Sequence, residues 1–315
     1  MYKNITTISK DQITTLGITA REKVDWIDAT LRNKSEYVLP VKTRMPLKEA
    51  DYFNVMPCAL PSENVLGLKV VTRNENRRNR GLSNIEGDIL LYSYDDFLPL
   101  ALIDGAHITT MRTAAVCVHS LLNFAKKRDV IALVGLGQIG TEVGNILFEL
   151  IQDEKVTIKL YRYKDQAEKF IDKFAHYSNL TFVVCDTYEE LFSDSDVIVS
   201  CVTYIDEDFC SPFVFKKECT VIPVHLRGFK KCDATFDHVI TSDLVSIQKF
   251  ENYSKIKKLS LLDDIYAEKT QNDAKTNGYG GGYSIGNQIL IYNLGLAVYD
   301  LFYASKIYQK IKQNE

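Results

Sequence analysis

The period of the apolar positions changes twice along the chain. In "TAREKVDWIDATLRNK" (19–34), Val24, Ile27 and Leu31 fall at helical spacing, and Thr19 with Glu22 has the form of a capping box; a helix is predicted there. From 37 to about 103 the apolar runs shorten. "NVLGLKVVT", "GDILLYSY" and "LPLALID" are broken by Pro, Gly, Asn and Asp, which predicts a mostly antiparallel sheet. A helix is predicted from Met111 to Lys126. Strands and helices then alternate: "VIALVG", a helix to about 152, "TIKLY", a helix over "KDQAEKFIDKFAHY", "TFVVC", "YEELFSDS", "DVIVSCVT", "CTVIPVH" and "HVITSD". Such alternation gives a parallel sheet covered by helices. A last apolar helix is expected from about 290, carrying Leu294, Leu296, Val298, Leu301 and Phe302. "NGYGGGYSIG" (277–286) is expected to be a flexible loop.

Composition narrows the function classes. The 315 residues are enough for two domains. Lys plus Arg is 38 against 41 Asp plus Glu, a net charge of −3, which argues against nucleic acid as the main partner. No apolar run has the length of a bilayer span, and the N-terminus lacks a signal-peptide core, so no membrane partner is expected. Seven scattered cysteines without a CxxC pair read as reduced thiols of a cytoplasmic protein, with no zinc site.

"VIALVGLGQIGTEVG" places Gly135-x-Gly137-x-x-Gly140 between a buried strand and an amphipathic helix. In such a loop the first glycine permits a tight turn, the second lets a pyrophosphate approach the backbone, and the third lets helix and strand pack closely. The helix N-terminus then holds the diphosphate, with Gln138 and Ile139 in its first turn. The context on both sides makes dinucleotide binding the reading of this loop.

The next strand bears on the choice of nicotinamide cofactor. An NAD site places Asp or Glu at its end to hold the ribose 2′-OH. Here Thr157–Lys164 reads TIKLYRYK, and no acid stands there before Asp165. Arg162 and Lys164 suit a 2′-phosphate, and Tyr161 or Arg162 suits adenine stacking. NADP(H) is therefore favoured, with NAD(H) possible. The alternative is that both cations are solvated surface charges.

"GDILLY…LPLALIDGAHITTMRTAA" followed by the glycine loop resembles the ornithine cyclodeaminase/mu-crystallin family, most specifically in Met111–Ala115. "TRMPL" (43–47), "GLKVVT" (67–72) and "NLGLAVYDL" (293–301) fit the same family, so the resemblance covers nearly the whole chain. It implies an α/β fold, with a Rossmann-type parallel sheet domain plus an α+β dimerisation/substrate domain. By that resemblance, residues 1–115 completed by 290–315 form the dimerisation/substrate domain, and 116–289 the dinucleotide-binding domain. A homodimer acting on a small amino or imino acid is implied as well.

By position, Arg44, Lys69 and Arg112 look like the family's substrate-carboxylate residues. The chemistry agrees: an arginine reads a planar carboxylate bidentately, and a buried lysine can move a proton. For Arg44 the alternative is a surface arginine. Thr113 looks like a cofactor contact, and Ser200, Cys201, Val202 and Thr203 end a strand that borders the nicotinamide.

The pattern breaks after "CTVIPVH". Cyclodeaminases carry an aspartate near a Pro-Gly-Lys; here Arg227 fills that slot and Gly228-Phe229-Lys230-Lys231 follows. The segment is somewhat closer to the family's siderophore-pathway dehydrogenase that releases diaminopropionate, which also lacks Pro-Gly-Lys but keeps the acid. A guanidinium cannot serve as a base near neutral pH. Arg227 thus counts against ornithine cyclodeamination and suits an anionic, opine-like substrate arm, unless it points to solvent. His225, the nearest titratable group, either exchanges the proton that accompanies hydride or is a structural histidine. The leading reading is an NAD(P)-dependent oxidoreductase acting on C–N bonds of amino or imino acids. The rivals are a cyclodeaminase-type lyase and a weakly catalytic NADPH-binding protein in the manner of mu-crystallin.

Overall fold

The computed structural model describes residues 5–48, 51–202, 205, 208–209, 215–273 and 286–314. The chain divides into two compact units, Met1–Arg112 with Gly295–Glu315, and Thr113–Leu294.

The first unit is built on six strands: β1 (Thr6–Ile8), β2 (Thr43–Pro46), β3 (Tyr52–Leu60), β4 (Val65–Arg73), β5 (Ile85–Ser93) and β6 (Pro99–Asp104). Their order is β1-β6-β5-β4-β3-β2, antiparallel except where β1 runs parallel to β6. The period of two sends Met56, Cys58, Lys69, Ile89, Leu91, Ala101 and Ile103 to one face, where all are buried. The C-terminal helix Ala297–Asn314 covers β3, β4 and β5 on that face. Helix α2 (Ala20–Arg32) packs on the C-terminal helix in turn, through an edge-to-face pair of Trp26 and Tyr303 with centroids 5.0 Å apart. Its start is the expected capping box: Thr19 Oγ1 accepts from Glu22 N–H, and Glu22 Oε2 accepts from Thr19 N–H at 2.9 Å. A second capping box, Ser9 with Gln12, opens α1 (Lys10–Thr15). The other face of the sheet carries Val55, Pro57, Leu66, Leu68 and Leu90, all partly exposed, and Leu102, 41% exposed.

Helix α3 (Gly105–Phe124) begins six residues before the expected Met111. The Asp104 carboxylate accepts the His107 N–H at 2.8 Å and so takes up one of the free donors of the first turn.

The second unit is an eight-stranded parallel sheet in the order β13-β12-β14-β11-β10-β7-β8-β9. Its elements are β7 (Val130–Val134), α4 (Gln138–Leu150), β8 (Val156–Tyr161), α5 (Gln166–Phe174), β9 (Leu180–Cys185), α6 (Tyr188–Phe192), β10 (Val197–Ser200), β11 (Cys219–Pro223), β12 (His238–Thr241), α7 (Leu244–Ile247), β13 (Leu259–Leu261), α8 (Leu262–Asp273) and β14 (Gln288–Tyr292). The central strands are mostly apolar and buried almost throughout, as strands covered on both faces are. Strand order reverses between β7 and β10, the crevice where doubly wound sheets bind ligands. The expected fold class holds in both units.

Two expectations are corrected. Residues 288–292 form β14, and the last helix starts only at Ala297. Ile289-Leu290-Ile291-Tyr292 is apolar at every position, and such a run fits a buried strand as well as a helix. Cys58, Cys117, Cys185, Cys201 and Cys219 are free, but Cys232 is disulfide-bonded. Pairing depends on distance in space, which scattering along the chain conceals. The glycine-rich segment at 277–286 lies outside the described residues, apart from Gly286. Among the described residues no helix is long and apolar enough to cross a membrane, and no group of three His, Cys, Asp or Glu could hold a metal ion.

Candidate active site

In the second unit the three loop glycines differ in their surroundings as a dinucleotide loop requires. Gly135 follows β7 with φ +85°, and a Cβ there would lie 2.5 Å from the Cys201 carbonyl carbon. Only glycine can make that turn against the end of β10. Gly140 meets the Gly135 oxygen; a Cβ would stand 2.3 Å from it. At Gly137, the N-cap of α4, a Cβ would meet nothing within 4 Å. The middle glycine therefore fills no packing need. It leaves open backbone before the N–H groups of Gln138 and Ile139, which is what a pyrophosphate needs. Cys201 is buried beside this turn, its thiol pushed up to about 12 by burial, so it is a neutral wall residue and no nucleophile. Val202 follows it, and Thr203 lies outside the described residues. Thr113, buried, is the first residue of this unit.

At the end of β8 the Tyr161 ring stacks on Tyr188 at 4.3 Å and 20°. Arg162 is engaged by two carboxylates: Nε donates to Asp186 Oδ1 at 2.5 Å and Nη1 to Glu168 Oε1 at 2.7 Å. Asp186 directly follows β9, the strand paired with β8, so an acid missing from the end of one strand is supplied by its neighbour. Lys164 adopts φ +53° and lies over the Tyr163 ring. Neither Asp186 nor Glu168 stood out in the sequence, because each reaches Arg162 only through the fold.

At the same edge of the sheet, His225 follows β11. Its Nδ1 accepts the Arg227 backbone N–H at 3.1 Å, which puts the ring proton on Nε2. Burial, and next the charge of Arg227, push the imidazole down to about 4; the Val202 backbone pulls the other way. At neutral pH His225 is thus a neutral donor, and a group held at about 4 is poorly matched to carry protons as an acid. The Arg227 side chain is exposed. Ser200 Oγ is buried without a hydrogen-bond partner at the end of β10.

The first unit contains a buried charge cluster. Lys69 Nζ, on β4, donates to Asp300 Oδ1 at 2.6 Å and to Thr109 Oγ1 at 2.5 Å. Arg112 Nε, on α3, donates to the same Asp300 oxygen at 2.9 Å. Lys69 and Asp300 are sealed from solvent, and the Arg112 side chain is 9% exposed. Burial lowers Lys69 to about 8; Asp300 resists this and Arg112 adds to it. Two cations against one carboxylate leave an excess positive charge in a low-dielectric setting, which an anion would relieve. The structure thus brings Lys69 and Arg112 together and adds Asp300, which the sequence reading did not identify.

Arg44 stands apart from this cluster. It lies on the exposed strand β2, over the Tyr52 ring at 4.3 Å. Register places it opposite Asn54 and so on the same sheet face as Lys69, two strands away, roughly 10 Å across the sheet. Asn54 lies between them, with a buried side-chain oxygen that has no partner.

A two-unit α/β chain with a Rossmann-type glycine loop at the switch point of one unit is the class that fold and site define. The ornithine cyclodeaminase/mu-crystallin family model matches residues 6–229, and the chain belongs to that family. A nodulation efficiency protein, NfeD, of Rhizobium meliloti is 24% identical over 97% of this chain and 95% of its own. The N-((2S)-2-amino-2-carboxyethyl)-L-glutamate dehydrogenase of Staphylococcus aureus is 24% identical over 84% of this chain and 80% of its own. Among solved structures, the Δ1-pyrroline-2-carboxylate reductase of Thermococcus litoralis with NADH and L-proline superposes with a TM-score of 0.79 at 18% identity, covering 98% of both chains. An archaeal alanine dehydrogenase dimer with bound NAD gives 0.81 at 17% identity over 99% of this chain and 97% of that one.

Proposed function

We propose that the protein transfers hydride at the α-carbon of an amino or imino acid, as an NAD(P)-dependent amino-acid dehydrogenase or imine reductase. That is the class of its relatives, which include reductases of Δ1-pyrroline-2-carboxylate at 23% identity over 87% of this chain. The observation that carries the reading is the excess positive charge of Lys69 and Arg112 around Asp300. It suits a substrate held by its carboxylate. Lys69, at about 8, is poised to give a proton to an imine nitrogen or take one from an amine. His225, at about 4, orients by donating from Nε2.

The nicotinamide cofactor supplies or accepts the hydride when bound. Gly135, Gly137, Gln138, Ile139 and Gly140 hold its diphosphate, with Thr113, Cys201 and Val202 on the nicotinamide side and Tyr161, Arg162 and Lys164 on the adenosine side. The sequence favours NADP(H). The carboxylates of Asp186 and Glu168 already match the charge of Arg162 and so bring NAD(H) level with it.

Arg44 and Arg227 complete the substrate set, and Arg227 selects an anionic arm. A dicarboxylic or opine-like substrate fits better than ornithine, whose far end is cationic. The partly exposed apolar face of the six-stranded sheet supports a homodimer, with Met1–Arg112 and Gly295–Glu315 as the dimerisation/substrate unit and Thr113–Leu294 as the cofactor unit, bounds a few residues from the expected 115 and 290. Five of the six described cysteines are free, with Cys232 the exception, and on that balance we place the protein in the cytoplasm.

Screening 2-oxo acids with amines, and amino acids alone, by absorbance of the reduced cofactor tests the function. Turnover of a carboxylate-bearing imine or amine supports it. Release of proline from ornithine at a catalytic rate would favour the lyase instead, and cofactor binding without turnover of any such compound would favour the mu-crystallin-like reading.

A further inference from the structure

We infer that Asp300 is a positioning residue for the substrate carboxylate: by taking Lys69 Nζ and Arg112 Nε on a single oxygen, it reserves the outer fork of the guanidinium and the third ammonium hydrogen for the substrate. The inference rests on the carboxylate-binding role proposed above for Lys69 and Arg112.

The donors can be counted. An ammonium has three hydrogens and a guanidinium five. Lys69 spends one on Asp300 and one on Thr109. The Thr109 hydroxyl gives its own hydrogen to the Gly105 carbonyl, so toward Lys69 it can only accept. One Lys69 hydrogen is left over. Arg112 donates to Asp300 from Nε alone, so the end-on pair of Nη hydrogens is not spent on it. A carboxylate can then meet the guanidinium end-on, through Nη1 and Nη2, and not through the Nε side.

Gly295 keeps that fork clear. A Cβ at residue 295 would stand 3.0 Å from Arg112 Nη2 and 3.4 Å from Nη1. The glycine has no left-handed backbone to satisfy, since it is absent from the positive-φ residues. Its lack of a side chain serves the space in front of the guanidinium. Asp300 Oδ2 is buried and has no hydrogen-bond partner, so the carboxylate is not consumed in closing the helix or packing the sheet. Most buried side-chain oxygens are satisfied, so this orphan asks for an explanation beyond packing.

The groups that face the Lys69 ammonium are Asp300 from the C-terminal helix and Arg112 and Thr109 from α3. Cys58 on β3, near Asp300, has its thiol pushed up to about 12 by burial and by that carboxylate, so it stays neutral. Asp300 is therefore the only negative charge described beside Lys69.

The test is a pH titration of the Lys69 Cε signal by NMR in full-length protein carrying 13Cε-lysine, with Lys69→Met to assign the signal. Asp300→Asn keeps the shape and one acceptor oxygen but removes the charge. The Lys69 midpoint should fall by about one pH unit or more. Pyruvate, added with oxidised cofactor so that nothing reacts, serves as the carboxylate probe. It should bind Asp300→Asn at least about tenfold more weakly than wild type. Gly295→Val should lose pyruvate binding with the Lys69 midpoint unmoved. An unchanged midpoint in Asp300→Asn overturns the role of Asp300. A fallen midpoint with no pyruvate binding to the wild type overturns the carboxylate-binding reading beneath it. If Asp300→Asn does not fold, Gly295→Val and the 15N signals of Arg112 in the wild type still decide. Pyruvate should shift the Nη signals and leave Nε in place; the reverse refutes end-on binding.

Discussion

Lys69 Nζ lies 2.6 Å from Asp300 Oδ1, 231 residues away in sequence, and both groups are shielded from water. Burial holds Lys69 at about 8 instead of 10.5. The protonated form holds a carboxylate and gives a proton to an imine, so kcat/KM for imine reduction should fall as pH rises through about 8. Stability runs the other way. Between about 8 and 10.5 the unfolded chain keeps a proton that the folded chain has lost, so stability rises with pH across that window. Lys69→Met should remove both dependences and lower kcat/KM by about 10²–10⁴-fold. A pH–rate profile and denaturant melts on either side of the window check this.

His225 carries the opposite edge of the profile. Its folded value of about 4 lies below the ordinary 6.5, so the unfolded state binds the proton more readily between them. Stability should therefore be lost as pH falls through that window, by on the order of 1–3 kcal/mol. His225→Gln should flatten the slope. Activity should show no limb near 6.5, and finding one would restore His225 as the proton carrier.

The loop glycines separate binding from folding. Gly137→Val should weaken NADH binding about tenfold or more with little change in melting temperature. Gly140→Ala should cost about 1–3 kcal/mol, because its Cβ must displace the Gly135 carbonyl. Calorimetry and cofactor titration of the two variants should give opposite patterns.

Asp186 and Glu168 compete with a 2′-phosphate for Arg162. These pairs are about half exposed, so solvent screens them and each contributes little. Asp186→Asn should therefore raise the affinity for NADPH relative to NADH roughly 2–5-fold. Arg162→Ala should lose NADPH affinity more than NADH affinity. Dissociation constants from the fluorescence of the reduced cofactors decide it, and an unchanged ratio in both variants would show that the 2′ position is read elsewhere.

The glycine loop was legible in the sequence because its chemistry is local: a strand, three glycines and a helix within a few residues. Thr19 with Glu22 was legible for the same reason. Asp300 was not, since its meaning depends on a helix at the chain's end crossing a sheet formed near its start. Asp186 was hidden likewise, standing one strand away from where an acid was sought. β14 was misread because uniform apolarity has no period to measure. Lys69 and Arg112 were picked out by resemblance alone; their shared carboxylate became visible only in the fold.

The most direct test of the central claim is isotope transfer from cofactor to product. NADH and NADPH carrying two deuteriums at C4 of the nicotinamide, supplied with cyclic imino acids or with 2-oxo acids and ammonia, should give amino acids carrying one deuterium at the α-carbon by mass spectrometry. Unlabelled product, or no product from any carboxylate-bearing imine while ornithine is converted to proline, would contradict it.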